Sequence, residues 1–214
     1  MPYQILQWLP QLLQGLKVTL CASIIAIFTS LLWGCFVASI SAYENKFLNV
    51  IIRAYISIFR NSPLLVQMFF FFYGLPYIGI VMPGMVCGIL AITLNEGAFV
   101  AEIMRGSIKS IPTGEIEAAK SLGLSKGRII AKIIFPLAFR TSIPMLTGQS
   151  SIVIKDTSLL SMIMIVEIMR CGNLFYSKYF DSISYWIIGG IYILLFLAFN
   201  YGGKMLEKKT LVRR

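Results

Sequence analysis

The 214-residue sequence contains no histidine, and its four cysteines are scattered rather than paired at the Cys-x-x-Cys spacing of metal or redox sites. We therefore expect no zinc or haem site and assign no metal ligand. Charged residues are also scarce, at 13% of the chain against 57% for hydrophobic residues. This composition excludes an ordinary soluble domain, because such domains carry about twice that charged fraction.

Two functional patterns are missing as well. The G-x-x-x-x-G-K-[S/T] loop, which cradles nucleotide phosphates in many ATPases, does not occur. We therefore expect no ATP hydrolysis by this chain itself, and we assign it no catalytic residue and no bound cofactor. An internal repeat is also absent from the sequence, which disfavours secondary transporters built from inverted repeats.

Long uncharged segments predict an all-α, polytopic membrane protein with five transmembrane helices in a single domain, 1–214. The predicted spans are about 18–40, 63–82, 85–104, 141–166 and 182–203. The 35 uncharged residues between Arg60 and Glu96 exceed what one bilayer core of ~30 Å accommodates, and the breaks are assigned to Gly74-Leu75-Pro76 and Pro83-Gly84. Ser62 and Pro63 are expected as the N-cap and first residue of the second span.

Residues 1–16 carry glutamine on one face and leucine or isoleucine on another at helical spacing. This pattern predicts an amphipathic helix in the membrane interface, with Trp8 as its anchor. The alternative is a leader that runs directly into the first span.

Basic residues set the predicted orientation. Of 19 Lys and Arg, 15 fall in segments assigned to the cytoplasm, three outside and one within the membrane. Cytoplasmic loops collect such residues, so we expect an external N-terminus and a cytoplasmic C-terminus. The basic cytoplasmic segments explain the net charge of +10, so we expect no nucleic-acid partner.

The predicted cytoplasmic insert, 105–140, contains a short charged helix with defined ends. Thr113 is expected as its N-cap, and Glu115 and Glu117 fall in the first turn, where carboxylates complement the helix dipole. Gly123 is expected to end the helix in the left-handed conformation, and Ser125 to cap a second helix. On these features alone, a basic loop lying against anionic lipid is an equally good interpretation.

The insert resembles the EAA motif of ABC importer permeases: Glu117-Ala118-Ala119, then Gly123, then Ile133-x-Phe135-Pro136, with phenylalanine in place of leucine. Three flanking segments are similar to permeases of the polar amino-acid uptake family: 59–67 (with Asn61-Ser62 in place of Gly-Thr), 98–106 and 155–159. The resemblance covers roughly residues 55–170.

The resemblance implies a permease subunit, the translocation pathway of an ATP-driven ABC importer for polar amino acids in a bacterial plasma (inner) membrane. Its implied partners are a second permease (identical or homologous), two ABC ATPase subunits that use ATP and Mg, and an extracytoplasmic amino-acid-binding protein. The residues implied in ATPase coupling are Glu117, Ala118, Ala119, Gly123 and Pro136.

Polar groups inside predicted spans are costly, so they usually face a cavity or a partner. We hypothesise that they line the substrate pathway and receive the two charges of a zwitterion. The candidates are Arg60, Asn95, Glu96, Glu102, Lys155, Asp156 and Thr157. The alternative is that Lys155 and Asp156 pair with Glu96, Glu102 or Arg60 and only hold spans together.

Three other functions stay open. An ABC permease for another small solute fits the same insert. A secondary transporter or channel could use the same intramembrane charges, although it has no reason to carry the EAA spacing. A membrane-anchored interaction protein would not need charges inside its spans.

Overall fold

The computed structural model describes residues 2–43 and 45–211, which form helices joined by short turns. The α-helices are α1 (Pro2–Ser41), α2 (Lys46–Asn61), α3 (Leu64–Phe69), α4 (Gly84–Lys109), α5 (Thr113–Ser121), α6 (Lys126–Ile129), α7 (Phe135–Asp156), α8 (Ile168–Tyr179) and α9 (Ile183–Leu211). Wider π turns occupy Phe70–Gly74 and Ile130–Ile134, and tighter 3₁₀ turns Leu75–Ile78 and Thr157–Ile163. The all-α class is confirmed.

Four helical segments in the described ranges are long and apolar enough to cross a membrane: Tyr3–Ser41, Gly84–Lys109, Lys126–Ile163 and Ile183–Met205. The protein is therefore a multi-pass membrane protein. The apolar segment Leu64–Ile78 is shorter, so the number of five spans stays a prediction.

Helix α1 begins far before the predicted first span. Its 40 residues form one helix of about 60 Å, twice the thickness of a bilayer core. Trp8 is only 4% exposed: its ring packs on Phe175 with centroids 4.8 Å apart, and its Nε1–H donates to the Cys171 carbonyl at 3.2 Å. The assignment of Trp8 as an interfacial anchor is wrong, because the apolar stripe faces α8 and α9 instead.

Helices α2 and α3 run antiparallel along α4. The Tyr55 hydroxyl, near the end of α2, donates to the Leu94 carbonyl at 2.6 Å, and the Cys87 thiol contacts the Phe71 carbonyl at 3.5 Å. The segment assigned to the second span therefore follows α2 along the same helix, α4, and residues 46–60 are helical and not a simple loop.

The break between α2 and α3 lies at Ser62 and Pro63. Ser62 is extended (φ −109°, ψ 143°) and ends α2, and its hydroxyl donates back to the Ile58 carbonyl at 2.7 Å. The expected N-cap role of Ser62 is wrong, because Pro63 occupies that position for α3. The proline still explains the break, since it disfavours helical geometry in the residue before it.

Small residues bring α1 and α4 together. A Cβ on Gly34 would lie 2.6 Å from the Gly97 carbonyl oxygen, and Ala26 and Ala91 are buried between the same helices. Close approach through small residues is typical of membrane helix pairs, where apolar surface gains little from leaving lipid.

The fourth predicted span differs from the structure at its start, whereas the fifth agrees at its start and α9 extends beyond its predicted end. The helical segment Lys126–Ile163 runs through Pro136 and Pro144, so no helix begins at the predicted boundary of 141. A π turn, Ile130–Ile134, lies just before Pro136. It changes the pattern of backbone hydrogen bonds at the point where proline, which has no N–H, cannot donate one. The predicted external loop contains α8, and the predicted span 182–203 coincides with most of α9.

Candidate functional site

Helix α5, the predicted coupling segment, begins where the backbone leaves α4. Pro112 holds the N-cap position (φ −57°, ψ 135°), and Thr113 is the first helical residue. The N-cap prediction for Thr113 is therefore wrong, because the proline ring already sets the extended geometry that precedes the helix. Glu115 lies in the first turn, as expected from the helix dipole, but Glu117 does not, because α5 begins at Thr113 and Glu117 is its fifth residue.

The end of α5 has the predicted geometry. Gly123 has φ +72°, in the left-handed region. Its N–H donates to the Lys120 carbonyl at 2.9 Å, and the Leu124 N–H donates to the Ala119 carbonyl at 3.3 Å. These two bonds are those of a Schellman motif, which satisfies carbonyls that the helix end leaves open.

Helix α5 presents most of its surface outward. It buries a single side chain, Ala119, at 2% exposure, whereas Glu117 and Ala118 are exposed. Leu122, directly after the helix, is 80% exposed. The outward side of this region therefore combines charged and small residues on α5 with one exposed apolar side chain directly after it.

The base of α5 is well anchored. Ile111, just before it, is buried in a cluster with Ala138 and Leu146 of α7. After it, the Lys126 ammonium donates to the Tyr43 carbonyl at 3.1 Å, in the turn after α1. The residues on either side of α5 are therefore fixed to α7 and to the turn after α1.

A polar group lies between α4 and α7. Glu96 is 2% exposed, and the Gln149 amide donates to its carboxyl oxygen at 2.6 Å. The carboxyl group of Asp156 lies beside that of Glu96, so two acidic side chains and one amide share this buried space.

The other candidates lie apart from this group. The Lys155 ammonium stacks over the Phe196 ring at 4.9 Å, towards α9, and the Arg60 guanidinium over the Phe99 ring at 5.0 Å. Glu102 pairs with Arg105 at 3.0 Å. The alternative pairings of Lys155 or Asp156 with Arg60 or Glu102 are thus not what the structure shows.

Two further candidates, Thr157 and Asn95, donate their side-chain hydrogen bonds to backbone carbonyl groups. The Thr157 hydroxyl donates to the Ile154 carbonyl at 2.7 Å, so it is satisfied by its own helix. The Asn95 amide donates to the Phe59 carbonyl at 2.7 Å, which joins α4 to the last turn of α2. Asn95 therefore has a local partner that the sequence did not reveal. The same carbonyl accepts from Gln67, whose own Oε1 is buried without a partner in the described chain.

Sequence reasoning assigned no role to Gln149 or Glu167. Gln149 stands seven residues before Asp156, and this two-turn spacing on one helix face was the available signal. Glu167 is fully buried, caps α8 through the Met169 and Arg170 N–H groups, and accepts from the Tyr192 hydroxyl at 2.8 Å. Burial raises the pKa of its carboxyl group, and the two N–H donors act against that rise.

Residues 30–212 match the family described as the inner membrane component of binding-protein-dependent transport systems. The chain is 33% identical to the nopaline transport system permease protein NocM of Agrobacterium fabrum, over 91% of this chain and 85% of that protein. It is 32% identical to the putative glutamine transport system permease protein GlnP of Rickettsia conorii (94% and 93%), and 34% identical to the probable amino-acid permease protein YxeN of Bacillus subtilis (87% and 88%).

Solved structures agree. A crystal structure described as an amino acid ABC transporter with histidines superposes with a TM-score of 0.87 at 28% identity, over 96% of both chains. An inward-facing structure of the MetNI methionine ABC transporter superposes with a TM-score of 0.80 at 18% identity, over 94% of this chain and 96% of that one, a likeness of fold alone. With its helical arrangement, projecting α5 and the family match over most of its length, this chain belongs to the family of binding-protein-dependent transport system inner membrane components.

Proposed function

We propose that this chain is the permease subunit of an ATP-driven importer for polar amino acids. A second permease, identical or homologous, completes the pathway. Two ABC ATPase subunits bind and hydrolyse ATP with Mg, and an extracytoplasmic binding protein delivers the substrate. The chain itself is not catalytic. The amino-acid substrate is supported by the names of the relatives, which transport nopaline, glutamine or unspecified amino acids.

The observation that carries this proposal is α5. A helix of nine residues is marginal alone, yet this one is held by a buried base and a Schellman end while its outer surface is unpaired. Glu117 and Leu122 on that surface offer a charge and an apolar side chain to a groove of the ATPase. A lipid-facing loop would not need a fixed helix end.

The group formed by Glu96, Gln149 and Asp156 is the best supported part of the substrate pathway. It is buried between two helices that both lead to α5, and its two carboxyl groups attract a cationic group such as a substrate ammonium. Glu102, six residues further along α4, lies about 9 Å away along the helix axis and already has a partner.

The test is transport by the assembled complex in proteoliposomes. Uptake is expected to require ATP and Mg on the α5 side and loaded binding protein on the other, and to continue when ionophores remove all ion gradients. Polar amino acids supplied with the matching binding protein should be taken up. Uptake driven by a gradient without ATP would identify a secondary transporter, and transport restricted to another solute class would overturn the amino-acid assignment.

Orientation gives a separate expected result. A cysteine in place of Ser121, beside α5, should react with a membrane-impermeant maleimide only after the cytoplasmic face is opened. One in place of Ser177, on the exposed side of α8 near Asn173, should react in intact cells. The physical reason is the excess of basic residues at the α5 end. The unmodified protein, with its four native cysteines, sets the baseline, and labelling of Ser121→Cys from outside would contradict the orientation.

A further inference from the structure

A basic cavity lies away from the polar group in the spans. It has a volume of about 520 Å³ and opens where the last turns of α1 and α4 meet the first turns of α2. Four of the side chains that line it are cationic: Lys46, Arg53, Arg105 and Lys109. The residues that line it in the described chain include no acid.

Among the described residues, little offsets this charge. Glu102 pairs with Arg105 at 3.0 Å, which leaves three cations. Lys46, Arg53 and Lys109 have no acceptor within hydrogen-bonding distance among the described residues. Like charges gathered around one cavity repel each other, and an anion in the cavity would remove that cost.

The cavity also holds an oriented neutral donor. The Ser41 hydroxyl donates to the side-chain oxygen Oδ1 of Asn49 at 2.7 Å, and both residues line the cavity. This bond fixes which side of the Asn49 amide is engaged, so its NH₂ group is left to donate. Ammonium, guanidinium and amide donors around one space form a set suited to phosphate oxygens.

The surroundings indicate the source of the phosphate. Val50 lines the cavity and is 66% exposed, and Phe47 and Ile51 are exposed on the same part of α2. A basic cavity with an apolar flank, at the end of two membrane-spanning helices, fits an amphiphile better than a free ion. We propose that this cavity binds the phosphodiester headgroup of an anionic glycerophospholipid, with an acyl chain along the apolar face of α2.

The consequence is a link between helices. A headgroup held by Lys46 and Arg53 on one side and Lys109 on the other would join the start of α2 to the end of α4. Since α4 leads directly into α5, the bound lipid would steady the base of the coupling segment.

The test uses the full-length protein purified in detergent and titrated with phosphatidylglycerol or phosphatidylcholine, with bound lipid counted by native mass spectrometry. Wild type is expected to retain phosphatidylglycerol selectively. The double variant Lys46→Gln/Arg53→Gln should bind it about thirtyfold more weakly, because each basic residue near a headgroup contributes about 1 kcal/mol. The matched control Lys132→Gln/Arg140→Gln removes two exposed charges outside the cavity and should change affinity by less than about threefold, because distant charges are screened.

Two further experiments distinguish a phospholipid headgroup from free inorganic phosphate as the ligand. Val50→Asn should weaken retention of phosphatidylglycerol without changing the binding of inorganic phosphate, and it also tests the proposal if the double variant misfolds. Displacement of the lipid by millimolar inorganic phosphate would show a site for free anions instead. Equal retention of the two lipids, equal loss in both double variants, or lipid excluded by a second copy packed on α2 would each overturn the proposal.

Discussion

Replacing Gly123 with valine is expected to abolish ATP-driven uptake while the permease stays in the membrane. Gly123 has φ +72°, and a Cβ built there would meet nothing within 4 Å. The damage therefore comes from the backbone, not from a clash. A bulky L-residue in the left-handed conformation costs about 1–2 kcal/mol, which a nine-residue helix cannot absorb without fraying.

The consequence falls on the exposed surface of α5. If the Schellman bonds to the Ala119 and Lys120 carbonyls open, Glu117 and Leu122 no longer keep their relative positions. The ATPase should then dissociate or hydrolyse ATP without responding to loaded binding protein. The measurement is the amount of ATPase that co-purifies with the permease from membranes, together with the stimulation of that ATPase by binding protein.

The matched control is Gly123→Asn. Asparagine adopts the left-handed conformation far more readily than valine and so should retain most of the activity. The companion variant Glu117→Lys tests the exposed charge without touching the backbone and should also uncouple hydrolysis. Full uptake and full stimulation in both Gly123→Val and Glu117→Lys would show that α5 is only a lipid-facing segment.

Replacing Asp156 with asparagine, or Glu96 with glutamine, is expected to reduce uptake at least about tenfold, because a hydrogen bond to a charged group contributes about 1.5–3 kcal/mol. Each change removes one carboxylate from the buried pair but keeps a polar side chain of the same shape. Assembly with the ATPase should be unaffected, since the group lies away from α5. Uptake per assembled complex, over a range of substrate concentrations, is the measurement.

Glu102→Gln is the matched control on α4. It makes the same chemical change in a surface ion pair, and such pairs typically contribute no more than about 1 kcal/mol. Its uptake should stay near wild type. Normal uptake by both Asp156→Asn and Glu96→Gln would remove the pair from the pathway, and loss of the assembled complex would show that it only holds α4 and α7 together.

Asn95→Leu should behave differently from the acid variants. Its amide bond to the Phe59 carbonyl joins α4 to the end of α2, so its loss should lower stability by about 1 kcal/mol. From the sequence, Asn95 and Glu96 were both assigned to the substrate pathway, because two adjacent polar residues in a span give no indication of which partner each one meets. Only the position of α2 shows that the two side chains face different partners.

Features that depend on a few neighbouring residues were determined by the sequence itself. The membrane class follows from composition, and the end of α5 follows from a glycine placed after a short polar helix. The left-handed turn at Gly123 needs no distant contact, because its two hydrogen bonds reach back only three and five residues. The uncharged segment at 182–203 likewise predicted most of α9.

Features that depend on which neighbour covers a helix face were decided only by the tertiary structure. The apolar stripe around Trp8 is compatible with contact to lipid or to a neighbouring helix. In the structure it packs against α8. Residues 46–60 read as a basic loop, yet α2 lies along α4 because Ile52 and Ile56 pack on Ala101. The pairing of Glu96 with Gln149 and Asp156 joins residues more than fifty positions apart. Local periodicity identifies a face and its polarity, but the neighbour that covers it is set by the packing of the whole bundle.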